Sequence, residues 1–555
     1  MNGERTMSDP NKPQTEPAGT PAKDDMPRES LADRIRPFVL IFLLVVLPIA
    51  LFEAVTQHMY VCRIPAGTKF VNSPSIPSRS ILGDYIYGSV LIRKWHWGWL
   101  IPYLDYRHCI IPEGAEEIAW HAFCESGIRD NLRSVSIPSS VKKIGDGAFM
   151  WCGKLTDIDI PGSVEEMGDN VFSECRSLRK VVIQGSVKRI GNNMFEDCTG
   201  LREVVIPDGV EGIGYDAFSG CTALRTVDIP DSVEGIGQGA FKSCSLLEEI
   251  RLPAGMAQHL TEEEIQRRRF ANLTIPSPKV SWYLFADCTS LKKVSLPDGI
   301  ETIGMEAFRN CVNLSELNLP DSVVSIGERA FFGCRSLPPL TLGKRLQRIA
   351  GGAFTGTRCA LIVPDDHPAF RFEDGILYSK DGSELISCVS PPDGPCVIAP
   401  GVKIIRDFAF WGCDGITEIR LPDGLEEIGM VAFAGCTGLK RLELPDSLLK
   451  IQSAAFSGCK GLTGTLAIPP NVTLIDDGAF ANCSGLTGLT IPPSVETIPS
   501  GTFEGCTNLK HVTFPDSLES IEDGAFFGCK SLDQETVERL NAVNPNARSQ
   551  YFFPE

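Results

Sequence analysis

Cysteine and histidine have the widest chemical reach in this chain, which carries 20 of the first and 7 of the second. Fourteen cysteines recur on a near-constant spacing: Cys152, Cys175, Cys198, Cys221, Cys244, Cys288, Cys311, Cys334, Cys413, Cys436, Cys459, Cys483, Cys506 and Cys529. Three chemistries compete for such a set. Structural zinc wants close pairs of the C-x2-C kind, and the sequence contains none. Disulfides need Cα atoms about 5.5 Å apart, which neighbouring coils of a stacked repeat would supply, and export from the cell would favour them. The third role is that of a small buried hydrophobe, since free cysteine is among the most buried residue types. One thiol per repeat, always at the same place, fits the third role. The set is expected to be buried and unpaired. Cys62, Cys109, Cys124, Cys359, Cys388 and Cys396 lie outside it, and Cys388 and Cys396 flank a Pro-rich loop across which a pairing is conceivable.

The histidines are His58, His96, His108, His121, His259, His367 and His511, and no two have the H-E-x-x-H spacing of a zinc helix. No G-x-S-x-G elbow, no phosphate-binding P-loop and no G-x-G-x-x-G after a strand is found. Acids are plentiful but scattered, as on a solvated surface. No catalytic residue, metal or cofactor is expected, and the chain reads as a non-enzyme. Its 70 acids against 52 bases give a formal charge of −18, which argues against a nucleic-acid partner, since that needs a basic face.

What positions the cysteines is an internal repeat. Residues 201–221 read LREVVIPDGVEGIGYDAFSGC, and residues 224–244 read LRTVDIPDSVEGIGQGAFKSC. Each cysteine follows a phenylalanine by three residues. That phenylalanine stands at 123, 149, 172, 195, 218, 241, 285, 308, 331, 354, 410, 433, 456, 480, 503 and 526. Eleven of these steps are 23 residues, and the others are 26, 44, 56 and 24. Within a unit, Val227 and Ile229 alternate with polar residues, as in a short strand with one buried face. Pro230-Asp231-Ser232 is a turn. Val233 and Ile236 bury the returning segment, and Gly237 suits a bend with positive φ. Ala240-Phe241 places one ring in each coil beside a small neighbour. No unit can bury its face alone, so stacked units must share one continuous core. The expected core includes Phe149, Phe172, Phe195, Phe218, Phe241, Phe308, Phe331, Phe433, Phe456, Phe503 and Phe526, with Cys152, Cys175, Cys198, Cys221 and Cys244 beside them.

The unit IPDSV-x-x-IG-x-x-AF-x-x-C resembles the repeat of the BspA-type leucine-rich-repeat family of bacterial surface proteins, over about residues 111–532. The resemblance implies a leucine-rich-repeat solenoid with parallel β-strands outside the cytoplasm, associated with adhesion or host contact, and it implies no catalytic residues. About 16 coils are expected.

The array is interrupted near 254–281 and 355–400. The first insertion holds Thr261-Glu-Glu-Glu-Ile-Gln-Arg-Arg-Arg269, a helical stretch with acids early and bases late. The second holds a hairpin signal over 375–386 with Asp381-Gly382 in its turn. Similar islands occur in the resembled family, so it reads as part of the array. Residues 533–555, with a short helix at 534–543, close one end. Residues 58–110, with Trp95, Trp97 and Trp99, form a cap at the other, an arrangement such arrays require.

Ahead of the cap, residues 1–36 read as a disordered cytoplasmic tail. The apolar run Phe38 to Phe52 lies in a membrane-spanning anchor over 37–57, with Arg28, Arg34 and Arg36 on its cytoplasmic side. A cleaved signal peptide is the rival reading, and either exports the repeats. Two function classes remain: a surface protein that binds a protein or glycan, and a structural spacer of the cell envelope with no ligand. For the first, the outward-facing residues of successive strands point to a strip made of Val182 and Val205, edged by Arg179, Arg202 and Arg225. Glu203 stands near enough to answer one arginine. An anionic partner would suit it.

Overall fold

The computed structural model describes residues 107–543, apart from 112, 125, 258–262 and 264–277, together with the backbone of Val61–Arg63, Phe70–Val71, Asp84–Tyr87 and Val90–Arg93. The tail, the anchor segment, Trp95, Trp97 and Trp99 lie outside these residues, as does most of the first insertion. Among the described residues no helix is long and apolar enough to cross a membrane.

Each coil has three sides, and each side pairs with the same side of the next coil. The first side is a short strand such as Lys180–Ile183 or Glu203–Val205, paired in parallel with Val181 opposite Val204. After the Pro-Asp/Gly turn, the second side is a two-residue strand such as Arg189–Ile190 or Gly212–Ile213, again parallel. The third side is irregular but equally regular in its bonding. Asn193, Phe195 and Asp197 donate N–H bonds to the carbonyls of Tyr215, Ala217 and Ser219, at 2.9, 2.8 and 2.8 Å. Backbone groups buried on all three sides therefore find partners in the neighbouring coil.

Two first-side and second-side strands, Val61–Arg63 and Phe70–Val71, pair with His108–Ile110 and Glu117–Ile118. A turn thus precedes the first Phe-marked coil, and the solenoid has about 17 turns where the Phe count gives 16. The expectation fell short because this turn carries no Phe-Cys signature.

Gly237 corrects a second expectation. Its φ is not positive; the left-handed residues are two places later, at Asn193, Asp216 and Gly239. Gly237 is instead a matter of room, since a Cβ there would lie 2.3 Å from the backbone nitrogen of Tyr215 in the preceding coil.

The second insertion is built into the array. Ile376–Ser379 pairs antiparallel with Phe370–Glu373 on one side and Glu384–Cys388 on the other. Glu384–Cys388 then joins Ile404–Ile405 in parallel and so becomes a second-side strand. Its two faces feed different cores. Leu377 and Ile386 pack with the core running from Cys109, while Ile376, Tyr378 and Leu385 pack with the core running to Leu540. Alternation along a strand, buried on both faces, makes one hairpin a wall shared by two interiors. At the far end, the helix Gln534–Val543 is capped by Asp533, whose Oδ1 accepts the Thr536 N–H at 2.8 Å, and Leu540 is buried.

Candidate functional site

The columns with the strongest sequence signal face inward. Phe149, Phe172, Phe195, Phe218, Phe241, Phe308, Phe331, Phe433, Phe456, Phe503 and Phe526 are all buried. Their rings stack nearly parallel, with Phe218 and Phe241 at 5.2 Å and 1°. Three residues on, each thiol donates to the carbonyl of the preceding coil's phenylalanine: Cys175 Sγ to Phe149 O at 3.1 Å, Cys198 to Phe172 at 3.0 Å, Cys221 to Phe195 and Cys244 to Phe218 at 3.1 Å. Cys152 reaches Phe123 O at 3.7 Å. The same carbonyl already accepts its own coil's cysteine N–H, as Phe195 O does from Cys198 at 3.1 Å. A thiol therefore occupies the second lone pair. The coil of Phe354 has Thr357 at this place, and its hydroxyl donates to Phe354 O at 2.7 Å.

All nineteen described cysteines carry free thiols, and eighteen are buried; Cys124 is half-buried. Burial pushes the Cys244 thiol up to about 12 and raises Cys198, Cys221 and Cys288 as well. Such thiols have almost no thiolate at neutral pH and do not act as nucleophiles or ligands. Among the described residues no cluster of three or more histidine, cysteine, aspartate or glutamate side chains has the arrangement to hold a metal ion.

The outward strip is assembled as the alternation requires, with Val182 paired to Val205 and Asp159. Val205 is 42% exposed, Val182 is half-buried, and Arg179, Arg202 and Arg225 are exposed. The charges sort differently from the sequence expectation. Glu203 pairs with Lys180 at 2.8 Å and not with an arginine, because Lys180 is its direct cross-strand partner. Arg225 is taken by Glu248 at 2.8 Å, which also holds Lys292 at 3.2 Å. Arg179 and Arg202 make no ion pair among the described residues, so the free guanidinium groups number two.

The second sheet holds a feature that the repeat consensus hides. The outward place in its strands carries Lys143 and Glu166, ion-paired at 3.6 Å, then Arg189, and then Gly212 and Gly235 in successive coils. With no side chains there, a trough of about 560 Å³ opens above the strands. Arg189 stands at one end and Lys279 at the other. Tyr215 and Trp282 form its rim, 50% and 54% exposed. The sequence signal was a pair of glycines in a row that is mostly charged or polar, together with aromatics three residues before the core phenylalanine.

Profiles of known repeat families match the chain at residues 104–221, 165–281, 266–364 and 403–533 as a BspA-type leucine-rich-repeat region in 6 copies. This chain belongs to the BspA-type leucine-rich-repeat family. Among solved structures, this BspA-type protein is similar to a leucine-rich cell surface protein from Faecalibacterium prausnitzii, with 29% identity, 65% of this chain and 88% of that one covered, and a TM-score of 0.48. It is similar also to a leucine-rich-repeat protein from Bacteroides ovatus, with 27% identity, coverage of 67% and 85%, and a TM-score of 0.39. The pneumococcal vaccine antigen PcpA shares 18% identity, with coverage of 78% and 83% and a TM-score of 0.36. No curated protein matches the sequence.

Proposed function

We propose that this BspA-type protein is a non-enzymatic binding protein, anchored at the bacterial cell surface by the apolar segment at 37–57, that engages a protein or glycan with the outward faces of its sheets. The observation that carries the reading is the contrast between inward and outward rows. Along one first-side row the inward residues are Val135, Ile158, Val181 and Val204, apolar in every coil. The adjacent outward row runs Ile110, Ser136, Asp159, Val182 and Val205. A spacer without a ligand has no use for that variety, whereas a recognition surface is made of it. On the first sheet, Val182 and Val205 with Arg179 and Arg202 form an apolar strip with two unpaired cations, suited to an acidic partner.

The test is binding of the full-length protein to arrays of purified extracellular proteins and of glycans, at low and high salt. The Arg179→Ser/Arg202→Ser variant should fold normally and lose affinity for an acidic ligand, and wild-type affinity should fall as salt rises. A protein that binds nothing on either array, at any ionic strength, is a spacer and not a receptor.

A further inference from the structure

We infer that the trough over Gly212 and Gly235 on the second sheet is a separate saccharide site that takes an acidic oligosaccharide. The inference rests on the binding role proposed above and names the ligand class of a different face.

The first support is what Tyr215 and Trp282 forgo. At the corresponding place in the three preceding coils, and again at Asp407, stands an Asp or Asn whose side chain accepts the next coil's backbone N–H, while elsewhere the place is held by residues such as Trp120, Gln238, Met305 and Met430. Asp146 accepts from Asp169 at 2.9 Å, Asp169 from Asn192 at 2.8 Å, and Asp407 from Met430 at 2.7 Å. The series reaches Tyr215, whose N–H is accepted by Asn192 Oδ1 at 3.1 Å. There it stops, because an aromatic ring at this place offers the next coil no such acceptor. Each position gives up a stabilising bond worth about 1 kcal/mol to hold a half-exposed ring.

The second support is spacing and floor. Tyr215 and Trp282 are two coils apart, roughly 10 Å at the usual strand separation. That is the reach of a short oligosaccharide, with one ring under each of two sugars. The floor between them is glycine backbone and the edges of Ile213 and Ile236. Gly212–Ile213 is paired on both sides, by Arg189–Ile190 and Gly235–Ile236, so a peptide cannot add itself as a further strand beside it. The planar amide of Gln238 lies along the same rim and supplies a donor and an acceptor for hydroxyl groups.

The third support is charge. In a chain with 70 acids and 52 bases, the described residues lining this trough include Arg189 and Lys279 and no carboxylate. Arg189 is steadied by Asn192 Oδ1 at 2.6 Å and has Asp169 3.9 Å away, while Lys279 makes no ion pair among the described residues. The two cations are three coils apart, about 14 Å, with Arg189 one coil beyond Tyr215 and Lys279 in the coil of Trp282. A carboxylate- or sulfate-bearing chain lying along the trough meets a cation at both ends.

The test titrates the full-length protein with hexasaccharides of galacturonate, with sulfated heparin fragments and with neutral cellohexaose, following tryptophan fluorescence and heat. One or both acidic probes should bind saturably, with the neutral one weaker, and their comparison identifies carboxylate or sulfate as the recognised group. Trp282→Ala should weaken binding about 10-fold or more, as loss of a central aromatic anchor does. Trp282→Phe should restore most of it. Gly235→Glu should abolish binding by filling the floor with a like-charged group. The fold tolerates that change, because Glu166 and Arg189 stand in the same row and the φ of Gly235 is not positive. Circular dichroism and thermal melting confirm that each variant is folded. The inference is overturned if neither acidic probe binds, if the neutral probe binds as well as they do, or if Trp282→Ala and Gly235→Glu both bind like the parent. A protein partner captured by the parent, with no saccharide bound, would leave the general binding role standing and remove this site.

Discussion

From Phe123 to Phe354 the column of rings is unbroken, and from Phe410 to Phe526 it is unbroken again. Between Phe354 and Phe410 no ring of the column continues it. The buried Thr355 hydroxyl meets Ser387 Oγ at 3.1 Å and reaches Phe408 O at 3.1 Å. Outside the core, Phe332 stacks on Trp411 at 4.4 Å, and the Arg329 guanidinium lies 4.6 Å above the Phe408 ring. Within a block, then, cohesion is the same apolar contact made many times. At the junction it is a handful of directed polar and aromatic contacts, each made once. The first kind tolerates drift in any one coil; the second depends on particular residues.

The largest expected effect concerns the blocks themselves. Seven column thiols have raised pKa values in the first block, Cys152, Cys175, Cys198, Cys221, Cys244, Cys288 and Cys311, and four in the second, Cys436, Cys483, Cys506 and Cys529. A thiol whose pKa is raised by folding stays protonated in the native state while the unfolded chain ionises. Its contribution is whole below pH 9 and is lost as pH climbs above it, at about 1.4 kcal/mol per thiol per pH unit. Urea unfolding at pH 8, 9 and 10 should therefore show a sharp loss of stability above pH 9 in both blocks. A block whose stability, read by hydrogen exchange, does not change between pH 8 and pH 10 would show that its thiols do not ionise on unfolding.

A smaller effect separates mid-block from edge. Phe218→Ala removes a ring stacked on both sides and should cost about 3–5 kcal/mol. Phe354→Ala removes one stacked in the column on one side only, by Phe331, and should cost measurably less. Chemical denaturation of the two variants makes the comparison, and equal losses would mean that the junction packs as well as the interior.

The smallest effect is at the junction. Thr355→Val keeps the shape and deletes the hydroxyl bonds to Ser387 and Phe408, at a cost of about 1–2 kcal/mol. That loss should fall on the coupling between blocks. The signature is a single unfolding transition that splits into two, and a single transition shifted as a whole would place the coupling elsewhere.

The sequence spoke clearly wherever residue type and period agree. Phe218 and Cys221 recur because every coil presents the same space to them. It spoke poorly where one residue answers to a neighbour. Gly237 looked like a bend, but the chain alone cannot distinguish positive φ from a lack of room under the preceding coil. Glu306 stands in the row of Asn193 and Asp216 and looked solvated, yet it is 2% exposed because Arg309 and Arg329 close over it. The unbroken run Ile376-Leu377-Tyr378 did carry a hint of burial on both faces, which a hairpin signal at Asp381-Gly382 overshadowed. Gly212 and Gly235 were legible as departures from the row only once the row itself was known.

The thiol column also sets a race. An unfolded chain offers 20 thiols to any oxidant, and each coil that closes withdraws one of them. Oxidation and reshuffling take seconds to hours, while a solenoid can nucleate at any coil and grow from neighbour to neighbour. The chain that folds early is thus sealed against crosslinking from the middle outwards, and the last thiols left at risk are those of the terminal coils. Cys124, the one described thiol that is not fully buried, is where oxidative damage to the finished protein should begin.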